Sequence, residues 1–462
     1  MTPKALVPAL ALAVGCVGAP RAQVRSVAPA SAEELATEFR AWLDDGRTPA
    51  RIIEFATEKL PSWKVIDPIA GDVVKVSAGD RLVFVNARRL AFFVVVGKQP
   101  IAEAGVRLIG AHIDTPAPRL DVRALTAAKQ TEVTARAYGG VKMFQWLNRP
   151  LAIVGHVAKV GGEVVSISLG LDDEFAVFAT KLSDGALTVI TSSTPTKRAR
   201  GKAGRAGKPA PVTLVSELGR RYGIDARDLE ASELYLVPKM KSREVGLDRS
   251  LIGAHGQDDR VNSYAAWRAI ADLDGTPEVT AVTMLVDREE VGSTGRSGAR
   301  SLYLETVYAW LLRAQGHKAT ESVLGRAFSA SVALSADTPA CINPNWPEVH
   351  EATHGPKLGK GPAMFPFTGR GGKEGGSGAH AELVGSVLRS FERAGVRLQA
   401  AELGRVDEGG GGTIAKYLGH RGIDVVDVGI CVLSMHSPLE LSSKADLWAG
   451  YVGFRSWLKE TR

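Results

Sequence analysis

Short apolar runs that end in an acid or a histidine recur along this chain and restrict the folds open to it. Val106–Ala111 runs into His112 and Asp114, Ala281–Val286 into Asp287, Glu289 and Glu290, and Ser329–Leu334 into Asp337. Gly256-Gln-Asp258-Asp259 and Leu433-Ser-Met-His436 add two more segments of this kind. Runs of this length bounded by turn residues read as buried strands. Buried charge is costly unless it is paired or bound, so the repeated pairing of an apolar run with an ionisable end points to one shared site.

The intervening segments supply the helices. Ser31 and Glu34 form a capping box ahead of Leu35, Phe39 and Leu43, and a second helix should follow Pro49. Leu82–Val85 and Ala91–Val96 read as further strands. From about 248 onward, helical stretches (Ala265–Leu273, Gly298–Leu311, Ala379–Ala394) alternate with strands, Ile423–Val428 being the last. Such alternation predicts an α/β catalytic domain, a mixed sheet flanked by helices, with functional residues at the carboxyl ends of strands. Between 122 and 247 the texture changes to β-rich alternation: Thr131–Ala137, Leu151–Val157, Val164–Leu169 and Leu187–Thr191. The reading is a catalytic domain in two parts, 30–121 and 248–462, interrupted by an inserted β-rich domain at 122–247.

Composition agrees with this. At 462 residues, 45% hydrophobic and 23% charged, the chain is neither disordered, collagen-like nor a small disulfide scaffold, and its length suits two or three domains. Cys16, Cys341 and Cys431 show no paired framework and no C-x-x-C spacing. Disulfides or a thiolate zinc site therefore should not organise this fold, and any metal must be held by histidines and carboxylates. The glycine-rich stretches 369–378 and 409–412 lack the form of a phosphate loop.

The net charge of +7 owes much to a basic run at 197–208, KRARGKAGRAGK, without which the chain is nearly balanced. No aromatics interleave with it, so a solvated loop is expected rather than a nucleic-acid surface. Residues 5–15 are apolar, follow Lys4 and end in small residues. They make 1–22 a signal peptide or a plain tail, with export to the periplasm or beyond, or lipid tethering at Cys16, following from the first and a cytoplasmic protein from the second. No run is long enough for a transmembrane helix.

Each chemical segment has a bland reading too. His112-x-Asp114 can be a surface histidine near an acid, and Asp258-Asp259 can simply cap a helix. In the consecutive Glu289 and Glu290, one can ligate a metal while its neighbour acts as general base on a metal-bound water. Together, two histidines and several carboxylates suit two divalent ions such as zinc, manganese or cobalt.

The ordered stretches GAHIDTPAPRLD (110–121), YGGVKMFQWLNRPLA (138–152), GLDRSLIGAHGQDDRVNSY (246–264), DREEVGSTGRSGARS (287–301), LSADTPACINPNWPEVHE (334–351) and VLSMHSPLELSSKADLW (432–448) carry a resemblance. The chain resembles the aspartyl aminopeptidase-type family of dinuclear metallo-aminopeptidases. The resemblance implies that His112, Asp258, Glu290, Asp337 and His436 bind two metal ions, zinc first, with Asp258 bridging them. It makes Glu289 the general base on a water bridging the two ions and Asp114 the residue that orients His112, and it suggests a cis peptide at Asp258–Asp259. It also implies peptide substrates, a dimerisation role for the inserted domain, and a tetrahedral homo-oligomer, a dodecamer.

The chain departs from the family in places. Val154 stands where some relatives carry a histidine, and His156, two residues on, can point to the same strand face. The segment around 373–380 is less polar than in relatives. Lys373 and His380 are its candidate substrate contacts, and a preference for acidic N-terminal residues is left open. His255 is a candidate neighbour of the site, while His350 and His354 read as ordinary loop residues. Two other functions keep the same fold: a related hydrolase acting on blocked amides, or a non-catalytic oligomeric binding protein.

Overall fold

The computed structural model describes residues 28–70, 73–121, 132–172, 175–191, 213–351, 353–369, 376–402 and 411–461. The leader, Cys16, the basic run at 197–208, Lys373 and most of the two glycine-rich stretches lie outside the described residues.

A nine-stranded mixed sheet forms the catalytic part. Its strands lie in the order Lys64–Ile66, Arg81–Asn86, Leu90–Val95, Thr280–Val286, Val106–His112, Val332–Ser335, Asp424–Gly429, Ala363–Phe365 and Gln399–Ala400. The four strands from Thr280–Val286 to Asp424–Gly429 run parallel. Successive side chains of a strand face opposite ways, and the core divides accordingly. Val83, Phe93, Ile109 and Ala111 pack with Trp42, Trp267 and Trp457 on one side. Leu82, Phe84, Phe92, Leu108 and Met284 pack with Trp310, Tyr308 and Phe328 on the other. Helices Ala32–Asp45, Pro49–Glu58, Gln257–Ala271, Ala381–Arg393 and Lys444–Lys459 cover the first side. Helices Tyr303–Ala314, Glu321–Ser329 and Ala415–Gly419 cover the second.

Helix starts follow their caps. The Ser31 hydroxyl accepts from the Glu34 N–H, and Thr48 caps the helix that opens at Pro49. The helix expected from Gly298 starts only at Tyr303. A Cβ on Gly298 would lie 2.1 Å from the Ser293 carbonyl oxygen, so the chain must complete a tight turn there first.

The second sheet has seven strands, in the order Ser232–Pro238, Ala117–Leu120, Glu132–Tyr138, Ala186–Ile190, Val177–Ser183, Pro150–Ala158 and Val164–Leu169. Ser232–Pro238 also pairs with Pro150–Ala158, closing six of these strands into a ring around Trp146, Leu151, Ile153, Leu187 and Leu236. A third sheet joins Arg243–Val245, Leu251–Ala254 and Glu440–Ser443, and its register sets Ala254 opposite Glu440.

The cysteine expectation is corrected here. Cys341 and Cys431 form a buried disulfide. They stand 90 residues apart in sequence, which no spacing rule detects. Each follows one of two neighbouring parallel strands, and the bridge between Ala340 and Val432 sets them side by side.

Candidate active site

The parallel strands aim their carboxyl ends at one place. Val106–His112 delivers His112 and Asp114, Thr280–Val286 delivers Asp287 to Glu290, Val332–Ser335 delivers Asp337, and the chain beyond Asp424–Gly429 returns with His436. Asp258 arrives from Leu251–Ala254 through a cis peptide bond to Asp259.

The two histidines are held alike. His112 Nδ1 lies 3.0 Å from the Asp114 carbonyl oxygen and 3.4 Å from its carboxylate. Its Nε2 stands 3.3 Å from Asp258 Oδ1 and 3.8 Å from Asp337 Oδ1. His436 Nδ1 lies 3.2 Å from the Gly140 carbonyl oxygen. Its Nε2 stands 3.1 Å from Asp258 Oδ2 and 3.3 Å from Glu290 Oε1. A carbonyl on Nδ1 fixes the proton there and leaves Nε2, turned toward the carboxylates, free to accept.

Asp258 belongs to both clusters able to hold a cation, one with His112 and Glu290 and one with Asp259 and Asp337. Its Oδ1 and Glu290 Oε1 are buried without a hydrogen-bond partner among the described residues. Buried orphaned carboxylate oxygens facing imidazole nitrogens fit divalent cations, the ligands being hard oxygens and borderline nitrogens. Asp259 is different. Its Oδ2 accepts from the His112 N–H at 3.1 Å, and its Oδ1 accepts from Asn262 at 2.7 Å and Thr338 at 2.8 Å. Both of its oxygens are thus taken up within the chain.

Asp114 organises the opposite side. Its carboxylate accepts the Glu289 N–H at 3.1 Å, the Glu290 N–H at 3.2 Å and the Tyr138 hydroxyl at 2.9 Å. Arg288 makes that turn in the left-handed region, φ 67, a conformation uncommon without glycine. Burial pushes the Glu289 carboxyl up to about 7, opposed by His112 and reinforced by Glu290, Asp114 and Asp258. That suits a base working near neutrality.

Three contributors had little sequence signal. Glu440, 1% exposed, accepts the main-chain N–H groups of Gln257, Asp258 and His436; an acid opening a buried strand was its one trace. Tyr138 and Gly140 come from the β-rich part; Tyr138 reaches Asp114, 24 residues away, and Gly140 reaches His436, 296 residues away.

Other candidates lie elsewhere. His380 caps its helix on the surface with Nδ1 3.2 Å from Asp424 Oδ1. Asp424 opens its strand, at the end opposite the ligands, because Ala363–Phe365 runs antiparallel to it and carries the chain away. Lys373 lies outside the described residues. His156 pairs with Ser166, 3.3 Å away, and is not brought to the cluster. Burial, helped by Arg89 and Arg88, lowers its pKa to about 4. His255 is buried edge-on to Trp146, with Nε2 toward the Pro116 carbonyl oxygen. His350 and His354 sit in loops.

A helix-flanked mixed sheet with histidines and carboxylates gathered at its carboxyl ends defines a metal-dependent hydrolase class. The chain belongs to the aminopeptidase I zinc metalloprotease family, M18, whose model matches residues 42–458. A probable M18 family aminopeptidase 1 of Borrelia garinii is 35% identical over 445 residues, covering 91% of this chain and 95% of that one. The solved M18 aminopeptidase of Thermotoga maritima has a TM-score of 0.81 at 32% identity, covering 93% of this chain and 97% of that one. The Saccharomyces mApe1, solved as a dodecamer, has a TM-score of 0.74 at 24% identity, covering 93% and 97%. The chain is a metal-dependent aminopeptidase, a metallo-exopeptidase hydrolase.

Proposed function

We propose that this aminopeptidase works with two divalent ions, zinc first. His112 and Asp337 hold one, His436 and Glu290 hold the other, and Asp258 reaches both. The observation that carries this is Asp258 itself, whose Oδ1 lies 3.3 Å from His112 Nε2 and whose Oδ2 lies 3.1 Å from His436 Nε2. When bound, such ions supply Lewis acidity to the scissile carbonyl, acidify a shared water and anchor the substrate's free amine.

The chain's own residues do the rest. Glu289 takes the proton from the attacking water and returns it to the leaving nitrogen, a role typically worth about 10²–10⁴-fold. Asp114 fixes the Glu289–Glu290 turn through two main-chain bonds and keeps His112 in its ligating tautomer.

We also propose that the chain self-associates, as does the Saccharomyces relative solved as a dodecamer. Phe178 and Ile190, cross-strand partners on the β-rich part, are 42% and 40% exposed with Leu182 nearby at 38%. Exposed apolar groups of this kind favour an interface.

The test is hydrolysis of aminoacyl-anilides by the metal-loaded protein, with Asp and Glu leaders included, against N-acetylated controls and Glu289→Gln. Cleavage that needs the free amine, and falls about 10²-fold or more in the variant with metal still bound, supports the reading. Equal cleavage of acetylated substrates makes it a hydrolase of blocked amides. The same panel reads whether acidic leaders are preferred.

A further inference from the structure

Alternation decides which residues of Ser232–Pro238 meet the catalytic part. Ser232, Leu234 and Leu236 are buried, the two leucines in the ring core, so the half-buried Glu233 and Tyr235 face the other way. Both reach toward the cluster. Tyr235 stands edge-on to Tyr138, ring centroids 5.4 Å apart, and the Tyr138 hydroxyl is the one Asp114 accepts. Glu233 places Oε1 3.4 Å from Arg288 Nη2 and Oε2 2.5 Å from Arg89 Nη1. Burial alone would raise this carboxyl, but Arg89 and Arg288 outweigh it and hold it below the usual range. Glu233 is therefore ionised at neutral pH.

The two arginines come from separate turns of the catalytic part. Arg89 lies in the tight turn between Arg81–Asn86 and Leu90–Val95, where Ala87 and Arg88 are left-handed, φ 53 and 60. Arg288 opens the turn that presents Glu289 and is left-handed itself, a conformation that a Cβ disfavours. That turn needs support from its surroundings. The Arg288 carbonyl oxygen accepts the Ser293 N–H at 2.6 Å. Its stem packs on Gly295, where a Cβ would lie 3.3 Å from Arg288 Cδ. Two acids lie beside the guanidinium, Asp287 of the same loop at 3.8 Å and Glu233 of the β-rich part at 3.4 Å. The two turns are also tied to each other: the Asn86 amide donates to the Arg296 carbonyl oxygen at 2.7 Å and accepts from Arg296 Nη2 at 3.2 Å. Glu233 closes the remaining gap between them.

The geometry points to Glu233 as a positioning residue for hydrolysis: its carboxylate holds the Arg288 guanidinium, fixes the turn that aims Glu289, and so ties the base to the β-rich part. This role presupposes Glu289 as the general base. Glu233 itself acts only through Arg288. A partly exposed ion pair adds little stability, so its contribution lies in orientation. Misplacing a catalytic group by about 1 Å costs up to about 10²-fold in rate, and losing one of several supports of the turn should cost about tenfold.

The experiment is zinc-saturated hydrolysis of a free-amine aminoacyl-anilide by the full chain and its variants. Glu233→Gln keeps the shape and removes the charge. Its kcat should fall about tenfold, with KM and bound zinc within about twofold of the parent and Tm within about 2 °C. Arg288→Met keeps the stem on Gly295 and should show the same loss. The double variant should lose no more than either single change, since both break one link. In the Glu289→Gln background, Glu233→Gln should cost nothing further, which a merely structural role would not predict. Parental kcat in Glu233→Gln, a loss that travels with lost zinc, losses that multiply in the double variant, or an undiminished loss in the Glu289→Gln background would overturn the proposal. Parental kcat in Glu289→Gln itself would instead overturn the base assignment.

Discussion

Replacing Gly140 by alanine adds one methyl group beside a metal-ligand candidate. The new Cβ would lie 2.8 Å from His436 Nδ1 and 3.2 Å from Cε1. Relaxed contacts between such atoms run about 3.5–4.0 Å, so something must move by about 0.7 Å or more. His436 has little room to do so. Its Nδ1 meets the Gly140 carbonyl, its main-chain N–H is bound to Glu440 at 2.7 Å, and its Nε2 faces Asp258 and Glu290. Misplacing a catalytic group by about 1 Å costs up to about 10²-fold in rate, and disturbing the support of a metal ligand costs about 10–100-fold in affinity. Gly140→Ala should therefore fold as the parent does while zinc affinity and kcat/KM both fall about 10–100-fold. Zinc titration with a chromophoric chelator, paired with anilide kinetics, reads both quantities. Gly161→Ala is the control, because its methyl meets nothing within 4 Å. Parental zinc affinity and kcat/KM in Gly140→Ala would refute the reasoning.

Glu440→Ala removes the acceptor of three buried main-chain N–H groups. At about 1–3 kcal/mol for each unsatisfied donor, urea unfolding should show a loss of at least about 3 kcal/mol; a loss under about 1 kcal/mol would contradict the role given to Glu440. Acid should compete with metal. In the free protein, burial pushes Glu289 to about 7, and burial with Asp258 pushes Glu440 to about 8. Burial would lower His436, but Asp258 and Glu290 outweigh it and hold the imidazole up at about 11. The protonated forms thus prevail in the metal-free site near neutrality, cation binding must release protons, and affinity should rise with pH from about 5 to 8. Calorimetry in buffers of different ionisation enthalpy checks this, and binding without proton release at pH 7 would contradict it.

The residues of the cluster were legible because most follow closely on the end of a buried strand, a local pattern that a linear reading captures. The same held for the opening helices, whose caps at Ser31 and Thr48 mark their starts. What was not legible came from contacts set by the tertiary fold. Gly140 reaches His436 and Glu440 reaches Gln257 and Asp258 across more than a hundred residues, Tyr138 reaches Asp114 from another sheet, and the Cys341–Cys431 pair is made by two parallel strands. The place of His380 at the other end of the sheet was not legible, because nothing in its own segment reveals that Ala363–Phe365 runs antiparallel to its neighbour. Asp259 shows the limit from the other side. Its neighbour Asp258 presents an orphaned oxygen, while its own two are taken by His112, Asn262 and Thr338; adjacency alone does not separate the roles.

The central claim is that two divalent ions share Asp258. Anomalous diffraction at the zinc edge from crystals of the zinc-loaded protein tests it most directly. The account predicts two peaks about 3.5–4 Å apart, one beside His112 and Asp337, the other beside His436 and Glu290, with a carboxylate oxygen of Asp258 on each. A lone peak, or two peaks that Asp258 does not join, would contradict it.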